Sequence, residues 1–262
     1  MAHETFRFQA HRGDSADYPE NTLPAFDAAV REGYRLIEAD TKFTADGVCI
    51  MLHDAALNRT CRTASGAELP EITPASSRTL AQIRELDAGL FRGERFRGTR
   101  VPTLAETLSL LRGTGVVLKL DNVFESFDQA CLETFCRTVA EADMEEQIAF
   151  TCKTMPYFSY LAAKFPRAEM HYDGMLTVQA LTDAARLAGE RLTVWIPYDN
   201  EVTAWFPGRK ADEAFCRELH RYGKVGIWLI STVQELDAAV NRFGADAIET
   251  NGTLKPQALS LI

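Results

Sequence analysis

The sequence has no long hydrophobic run. No stretch of its 262 residues approaches the ~18 apolar residues that a membrane-spanning helix needs. The opening segment MAHETFRFQA contains neither the basic nor the apolar region of a secretory signal. The six cysteines are scattered and form no C-x-x-C pair, which is typical of free thiols in a reducing compartment. We therefore expect a cytoplasmic protein with no stable membrane association.

Basic residues are scarce relative to acidic ones. The chain carries 28 Lys and Arg against 37 Asp and Glu, which gives a formal net charge of -9. This balance excludes a nucleic-acid or anionic-membrane binder that works through bulk charge. A small anionic substrate would have to be attracted by a bound cation or by basic residues inside a pocket. Nothing in the sequence indicates an oligomeric state.

Short apolar or alternating runs recur along the chain, and helix-like stretches follow them. The predicted strands lie near residues 6–11, 36–42, 116–121, 147–152, 168–172, 192–196, 225–230 and 246–250. The predicted helices are Leu23–Glu32, Leu104–Leu111, Phe127–Ala142, Tyr157–Lys164, Val178–Ala188, Asp212–Tyr222 and Val233–Phe243. Thr22, Thr103 and Thr232 occupy the expected N-cap positions. Eight strands that alternate with helices predict an α/β fold, a closed (β/α)₈ TIM barrel.

The region of about residues 44–100 breaks this rhythm. The TADG turn between Phe43 and Val48 predicts a hairpin that extends the second barrel strand. The polar stretch that follows predicts a small insertion over the barrel mouth. Because no internal repeat or low-complexity linker is present, we predict a single domain over residues 1–262.

Several chemically reactive side chains fall at predicted strand ends, where barrel enzymes place their active sites. Glu38 and Asp40 project to the same face, because side chains alternate along a strand. Two carboxylates ~6–7 Å apart repel each other unless a positive charge lies between them. A salt-bridged rim and a metal site both account for this pair. His11 and His53 are either hydrogen-bonded structural residues or an acid–base pair.

Together these pieces resemble the glycerophosphodiester phosphodiesterase family, whose signature reads HRG, PENT, E-x-D, and HD followed by RT. All of them occur here in order: His11-Arg12-Gly13, Pro19-Glu20-Asn21-Thr22, Glu38 and Asp40, His53-Asp54, and Arg59-Thr60. The match is densest over roughly the first sixty residues. The resemblance implies a TIM barrel with an insertion after the second strand. It also implies hydrolysis of a small-molecule glycerophosphodiester to sn-glycerol 3-phosphate and an alcohol.

The resemblance also implies residue roles. His11 and His53 are the general acid and base, in an order that the sequence leaves open. Glu38 and Asp40 hold a divalent metal, Mg²⁺ or Ca²⁺. Arg12, beside His11, is either a surface cation or a fork for two phosphate oxygens, and its planar guanidinium suits the second role.

The PENT segment and the residues after His53 have supporting roles. Asn21 and Thr22 are expected to cap the first helix. Glu20 can orient a histidine or the metal ligands from a second layer. Asp54 and Arg59 are interpreted as loop anchors that fix His53.

The third barrel strand departs from the family. In relatives it carries a metal-binding Glu and, two residues later, a phosphate-binding Lys, whereas VVLKLDN has Lys119 and Asp121 at those positions. Asp121 can be the third metal ligand, which we favour because a hard divalent ion takes several oxygens. Alternatively, Lys119 replaces the metal, as in related phospholipase-C-like lyases that stop at the cyclic phosphate. A third alternative is a non-catalytic phosphodiester-binding protein.

Other departures lie near the ends of later strands. The last strand has Asn251 where relatives tend to have Asp, and Glu249 is expected to pair with Lys119 across neighbouring strands. Lys153 is a candidate substitute for the phosphate-binding lysine, although an ordinary exposed loop Lys explains it equally well. Three aromatic residues are candidates for the leaving-group pocket, with core or rim packing the more conservative interpretation of each: Trp195, Tyr198 and Trp205.

Overall fold

Eight parallel strands close into a barrel in a computed structural model, which describes residues 6–199 and 210–262. The ten strands are β1 (Arg7–His11), β2 (Leu36–Ala39), β3 (Thr41–Phe43), β4 (Cys49–Met51), β5 (Val117–Leu120), β6 (Ile148–Cys152), β7 (Glu169–Tyr172), β8 (Leu192–Pro197), β9 (Lys224–Trp228) and β10 (Ala247–Thr250). Around the ring the order is β1, β2, β5, β6, β7, β8, β9 and β10, and β10 pairs with β1. The predicted TIM barrel is confirmed.

Helices cover the outside of the ring, apart from Leu80–Ile83, which lies in the insertion and was not predicted, and the predicted helices end close to their expected positions. The helices are α1 (Leu23–Arg31), α2 (Leu80–Ile83), α3 (Leu104–Leu111), α4 (Gln129–Glu141), α5 (Met155–Lys164), α6 (Val178–Ala188), α7 (Glu213–Leu219) and α8 (Val233–Asp237). α4 begins two residues later than predicted, because Asp128 caps it by accepting a hydrogen bond from the backbone N–H of Cys131. A π-helical turn, Ala238–Arg242, continues α8.

The predicted threonine caps hold at two of three positions. Thr103 and Thr232 each accept a hydrogen bond from the third residue of their helix, and a glutamate side chain returns the contact in a capping box. Thr22 stands at the N-cap of α1, but its hydroxyl donates to the carbonyl oxygen of Pro19 instead. The hydroxyl therefore stabilises the turn before the helix and leaves the helix end uncapped by a side chain.

Two layers of apolar side chains hold the barrel together. The larger layer lies between the strands and the helices, and aromatic residues such as Phe124, Phe135 and Phe150 pack edge-to-face or stacked within it. A smaller group fills the barrel interior: Leu36, Val117, Ala149, Trp195 and Ala247. Polar side chains occupy the remaining inward positions, so the interior above this group can carry chemistry.

The predicted hairpin and insertion are present. β3 and β4 pair antiparallel with Phe43 opposite Cys49, and the chain then runs over the barrel mouth before α3 begins. The insertion has a small core of its own, in which Leu57, Cys61 and Ile83 are buried. The prediction that residues 1–262 form a single domain stays a prediction. Among the described residues, no helix combines the length and apolar character needed to span a bilayer.

Candidate active site

A polar cavity of about 240 Å³ opens at the carboxyl ends of the barrel strands. Its lining is His11, Arg12, Glu38, Asp40, His53, Lys119, Asp121, Asn122, Asp173, Trp195, Trp228 and Glu249. Nine of these residues were candidates from the sequence, and the fold brings them to one place. A larger groove of about 470 Å³ lies on the insertion, but its lining contains neither histidine and none of the barrel carboxylates.

Three carboxylates converge in the cavity. Glu38, Asp40 and Asp121 each offer an oxygen, and these oxygens all lie within 4.8 Å of one another. Burial, followed by the negative charges of Asp40 and Glu249, raises the pKa of Glu38 well above its ordinary value. Burial raises the pKa of Asp121 as well. Such crowding of like charges is costly without a cation, and oxygen donors of this kind suit a hard divalent ion.

Asp40 is held in place from the loop after β1. The side-chain amide of Asn21 donates to Asp40 Oδ2 at 3.0 Å, and the backbone N–H of Asp40 donates to Asn21 Oδ1 at 3.2 Å. Arg12 Nε lies 3.3 Å from the same carboxylate. The interpretation of Asn21 as a helix cap was wrong. Its backbone adopts a left-handed conformation, with φ of 54°, that turns the amide towards Asp40.

Lys119 lies beneath the carboxylates and is fully engaged there. Its ammonium is 3.5 Å from Glu249 Oε2 and 4.5 Å from the ring centre of Trp195. Burial alone would lower the pKa of Lys119, but the charges of Glu249, Asp121 and Glu38 outweigh it, so the pKa is raised and the ammonium stays charged. The predicted pair with Glu249 is present, although not between neighbouring strands, because β1 and β2 separate β10 from β5. It spans the barrel interior.

Each histidine is oriented through Nδ1. His11 Nδ1 lies 2.6 Å from the side-chain oxygen of Asn251, and His11 Nε2 lies 3.9 Å from Glu38 Oε2. Because an amide oxygen only accepts, the proton of neutral His11 is on Nδ1, and Nε2 keeps its lone pair towards the cavity. His53 Nδ1 lies 2.6 Å from Asp54 Oδ1, which leaves Nε2 of this ring available in the same way.

A chain of ion pairs connects the two histidine loops. Arg59 donates to Asp54, and its hydrogen bonds hold the pKa of that carboxyl down at about 2. Arg59 also donates to both oxygens of Glu20, at 2.7 and 2.8 Å. Glu20 in turn accepts from Arg12 at 3.0 Å. Glu20 does not line the cavity, but it joins the loop that carries Arg12 to the loop that carries His53.

The remaining candidates differ in their placement. Lys153 is exposed beyond β6 and is not part of the cavity lining, so its role as a phosphate ligand stays a prediction. Trp195 lines the cavity from the barrel interior, where its indole N–H donates to His171. Tyr198 packs against Phe243 outside the cavity. Trp205 lies outside the described residues.

Four residues of the site had no role assigned from the sequence: Asn122, Asp173, Trp228 and Asn251. Asp173 directly follows β7 in the segment EMHYDG, and Trp228 ends β9. The rule that singled out His11 and Asp40, a polar or aromatic residue at a strand end, applies to these positions too. The only signal in the sequence that could have identified these residues was therefore their position at a strand end, because no family motif includes them.

The comparisons with known proteins agree with this geometry. A family model described as the glycerophosphoryl diester phosphodiesterase family matches residues 11–251. The chain belongs to this family. The glycerophosphoryl diester phosphodiesterase match begins at His11 and ends at Asn251, whose side chains contact each other across the join between β1 and β10.

Individual relatives add detail. A glycerophosphodiester phosphodiesterase from Caldanaerobacter subterraneus is 40% identical over 102 residues, which cover 39% of this chain and only 39% of that protein. A solved Oleispira antarctica phosphodiesterase, in complex with the product sn-glycerol-3-phosphate, has a TM-score of 0.76 at 20% identity and covers 99% of this chain and 98% of its own. A glycerophosphoryl diester phosphodiesterase from Parabacteroides distasonis has a TM-score of 0.74 at 20% identity, covering 98% and 88%. These structural likenesses support the fold.

Proposed function

We propose that the protein hydrolyses a glycerophosphodiester to sn-glycerol 3-phosphate and an alcohol, with a divalent cation, Mg²⁺ or Ca²⁺, as cofactor. The observation that carries the proposal is the meeting of three carboxylates and two imidazoles in one cavity of a barrel of this family. The Oleispira relative, which was solved with the same product, supports the substrate class. We also propose a cytoplasmic location and a small-molecule substrate as the protein's partner.

The residues present fit such a cation. Glu38, Asp40 and Asp121 supply oxygen donors, and Lys119 does not occupy their place because its ammonium is directed to Glu249 and Trp195. When bound, the cation would polarise the phosphoryl group and lower the pKa of the adjacent glycerol hydroxyl. Asp121 therefore takes the role that a glutamate one layer below has in relatives, and Lys119 offsets the negative charge from beneath.

The histidines carry out the proton transfers. Nε2 of one imidazole accepts the proton of the glycerol hydroxyl as its oxygen attacks phosphorus, and the other imidazole donates a proton to the departing alcohol oxygen. Water then opens the cyclic phosphate with the two roles exchanged. Asn251 and Asp54 hold the rings through Nδ1, so each Nε2 faces the reacting atoms.

Arg12 is the proposed ligand of the phosphoryl oxygens. Its guanidinium lines the cavity beside Asp40, and Glu20 fixes it from behind. A guanidinium can donate two parallel hydrogen bonds to a phosphoryl group and offset the charge that develops in the transition state. Lys153 remains a proposed, more distant phosphate ligand.

The test is release of sn-glycerol 3-phosphate from several glycerophosphodiesters, with Mg²⁺, Ca²⁺ or EDTA present. The expected result is cation-dependent turnover that EDTA abolishes. Asp121→Asn should lower the activity at limiting cation by roughly 10–100-fold, because one of the three charged ligands is lost. The matched control is Asp143→Asn, the same change at an exposed position before β6, at the other end of the barrel.

Two results would contradict the proposal. Turnover that survives EDTA, yields only the cyclic phosphate and disappears in Lys119→Ala would identify the metal-independent lyase. Binding of the diester without turnover by any cation, unchanged in His11→Ala, would identify a non-catalytic binding protein. The engagement of Lys119 with Glu249 weighs against the lyase.

A further inference from the structure

Asp173 lines the cavity and has one carboxylate oxygen without a hydrogen-bond partner among the described residues. It directly follows β7, is 9% exposed, and lines the cavity together with Asp121 and Trp228. Its Oδ2 accepts a hydrogen bond from the side-chain amide of Asn122 at 3.0 Å, whereas the buried Oδ1 has no hydrogen-bond partner among the described residues. A buried acceptor without a donor costs free energy, so this oxygen is suited to a donor that arrives with a ligand.

The position of Asp173 relates it to the far half of a substrate. β7 lies four strands from β1 in both directions around the ring, so Asp173 faces the cavity from the wall opposite His11 and Arg12. A phosphodiester with its phosphorus at the histidines has two arms. The glycerol arm has to reach the carboxylate cluster, and the leaving alcohol can extend towards β7.

The charges of the cavity define what that alcohol should carry. Glu249 has Lys119 as its partner, Asp40 has Arg12, and Glu38 and Asp121 face the proposed cation. Within residues 6–199 and 210–262, the one side chain that is hydrogen-bonded to the Asp173 carboxylate is Asn122, a neutral amide. A cationic N–H donor would meet both needs of this carboxylate, because it brings a positive charge and a hydrogen bond to Oδ1.

We propose that Asp173 is the specificity-determining residue for the leaving alcohol and binds a primary ammonium group, so that the preferred substrate class is the glycerophosphodiesters of primary amino alcohols such as ethanolamine. This proposal rests on the proposed function of the site. A trimethylammonium group brings charge but no N–H donor, and a polyol brings donors but no charge. Both should therefore use Asp173 less well. Asn122 is a positioning residue that holds the carboxylate in place.

The experiment compares kcat and KM for glycerophosphoethanolamine, glycerophosphocholine and glycerophosphoglycerol under saturating cation. In the wild-type protein, kcat/KM should be highest for the ethanolamine ester, by roughly tenfold, as expected for one charge-assisted hydrogen bond. Asp173→Asn keeps the side-chain shape and removes the charge. This variant should raise KM for the ethanolamine ester roughly tenfold and bring the ratio of its kcat/KM to that of the choline ester close to one.

A second readout uses the alcohol alone. Free ethanolamine should inhibit the wild-type protein more strongly than choline, and Asp173→Asn should remove that difference. Asp143→Asn again serves as the control for loss of one negative charge, and it should leave the ratios unchanged. Circular dichroism of each variant verifies that it is folded before the ratios are compared.

Two outcomes would overturn the proposal. One is a ratio between the ethanolamine and choline esters that is the same in wild type and Asp173→Asn. The other is an equal loss on all three substrates with fewer bound cations per chain, which would make Asp173 part of the cation site. Absence of turnover by the wild-type protein on every diester would instead count against the proposed function itself.

Discussion

Asn251 has a larger role than its place near the end of the chain suggests. The only hydrogen-bond partner of His11 Nδ1 within the described residues is its side-chain oxygen, at 2.6 Å, so this amide determines both the tautomer and the orientation of the ring. The sequence drew attention to Asn251 as a departure from the family but offered no role for it. The contact requires β1 and β10 to be adjacent, and only the closed barrel brings them together.

Asn251→Ala should therefore lower kcat by roughly 10–100-fold with little change in KM, because outer partners of catalytic histidines contribute about that much. Steady-state kinetics on the best glycerophosphodiester measures this. Asn241→Ala, at an exposed position in the π-helical turn, is the matched control. A kcat equal to that of the control would mean that Asn251 does not orient His11.

The buried pair of Lys119 and Glu249 gives a second prediction at this scale. Lys119→Met leaves the carboxylate of Glu249 buried without a cation and should destabilise the protein by about 3–5 kcal/mol. The double variant Lys119→Met/Glu249→Gln should be less destabilised than the single one, since the side chain at position 249 is then neutral and no longer needs the cation that was removed. Urea unfolding in EDTA measures both. A Lys119→Met variant within about 1 kcal/mol of wild type would contradict the role given to this pair.

At the residue scale, the sequence predicted which residues line the site better than it predicted which residues contact one another. His11, His53, Glu38 and Asp40 were found because a strand end and a motif coincide there. Asp173 was missed because nothing but its position after a strand marks it. Contacts such as Arg59 with Glu20 join residues that are 39 apart, and no local pattern encodes which of several acidic side chains an arginine will choose.

At the scale of elements, the central feature is the connection between the insertion and the loop after β1. Glu20 accepts hydrogen bonds from Arg59 on the insertion and from Arg12 on the barrel. His53 belongs to the same assembly through Asp54. The insertion therefore does more than cover the mouth, because it carries His53, one of the two imidazoles proposed to be catalytic, and is positioned by this carboxylate.

Glu20→Gln should weaken this connection and lower kcat/KM by roughly tenfold, with a change in stability of at most about 1 kcal/mol, since partly exposed ion pairs contribute little. Kinetics and thermal unfolding on the same preparation separate the two effects. Glu68→Gln, a change at an exposed position of the insertion, controls for the lost charge. A loss of activity that is no greater than the fraction of unfolded protein in the variant would indicate a purely structural role.

Element boundaries show where sequence patterns are sufficient. α3 and α6 begin and end as predicted, because each follows a threonine cap and has a regular apolar face. The second strand was predicted to run through residue 42, but β2 ends at Ala39 and β3 begins at Thr41. This break between β2 and β3 leaves Asp40 outside both strands, with its side chain in the cavity. A pattern of apolar residues does not predict such a break.

For the whole molecule, the acidic cavity makes stability depend on pH. Burial and the charge of Asp121 raise the pKa of Asp173 from 3.8 to about 7. In the cation-free protein, folding then favours the protonated carboxyl, and this contribution is fully present below pH 3.8. It is lost as the pH rises to about 7, by at most about 1.4 kcal/mol per unit.

Asp173→Asn should therefore be more stable than wild type in EDTA, by a margin that grows between pH 4 and pH 7 and levels off above. Thermal unfolding of both proteins across this range measures the margin. His171 works in the opposite direction in both proteins, because burial lowers its pKa to about 4, and its contribution is lost as the pH falls below 6.5. A margin that does not change with pH would contradict the assignment for Asp173.

The fold of the whole molecule was the most predictable level. Eight strand-like runs that alternate with helical stretches leave few arrangements other than a closed parallel barrel, and the structure has this ring. The way in which the ring places inward side chains opposite one another was not predictable. The Lys119–Glu249 pair was expected between adjacent strands, whereas it crosses the interior. Two strands, β1 and β2, separate β5 from β10 around the ring, but inward side chains of β5 and β10 still reach each other through the barrel.

The contact between His11 and Asn251 also bears on how the protein acquires activity as it folds. The two residues are 240 positions apart, and they come into contact only after the first strand, β1, has paired with the last strand, β10. A chain in which β1 and β10 have not yet paired can have most of its helices formed. The imidazole of His11 in such a chain lacks the Asn251 contact that orients it. During refolding, enzyme turnover should then recover later than the ellipticity of the helices. The recovery of turnover would therefore measure when β10 pairs with β1 and closes the barrel.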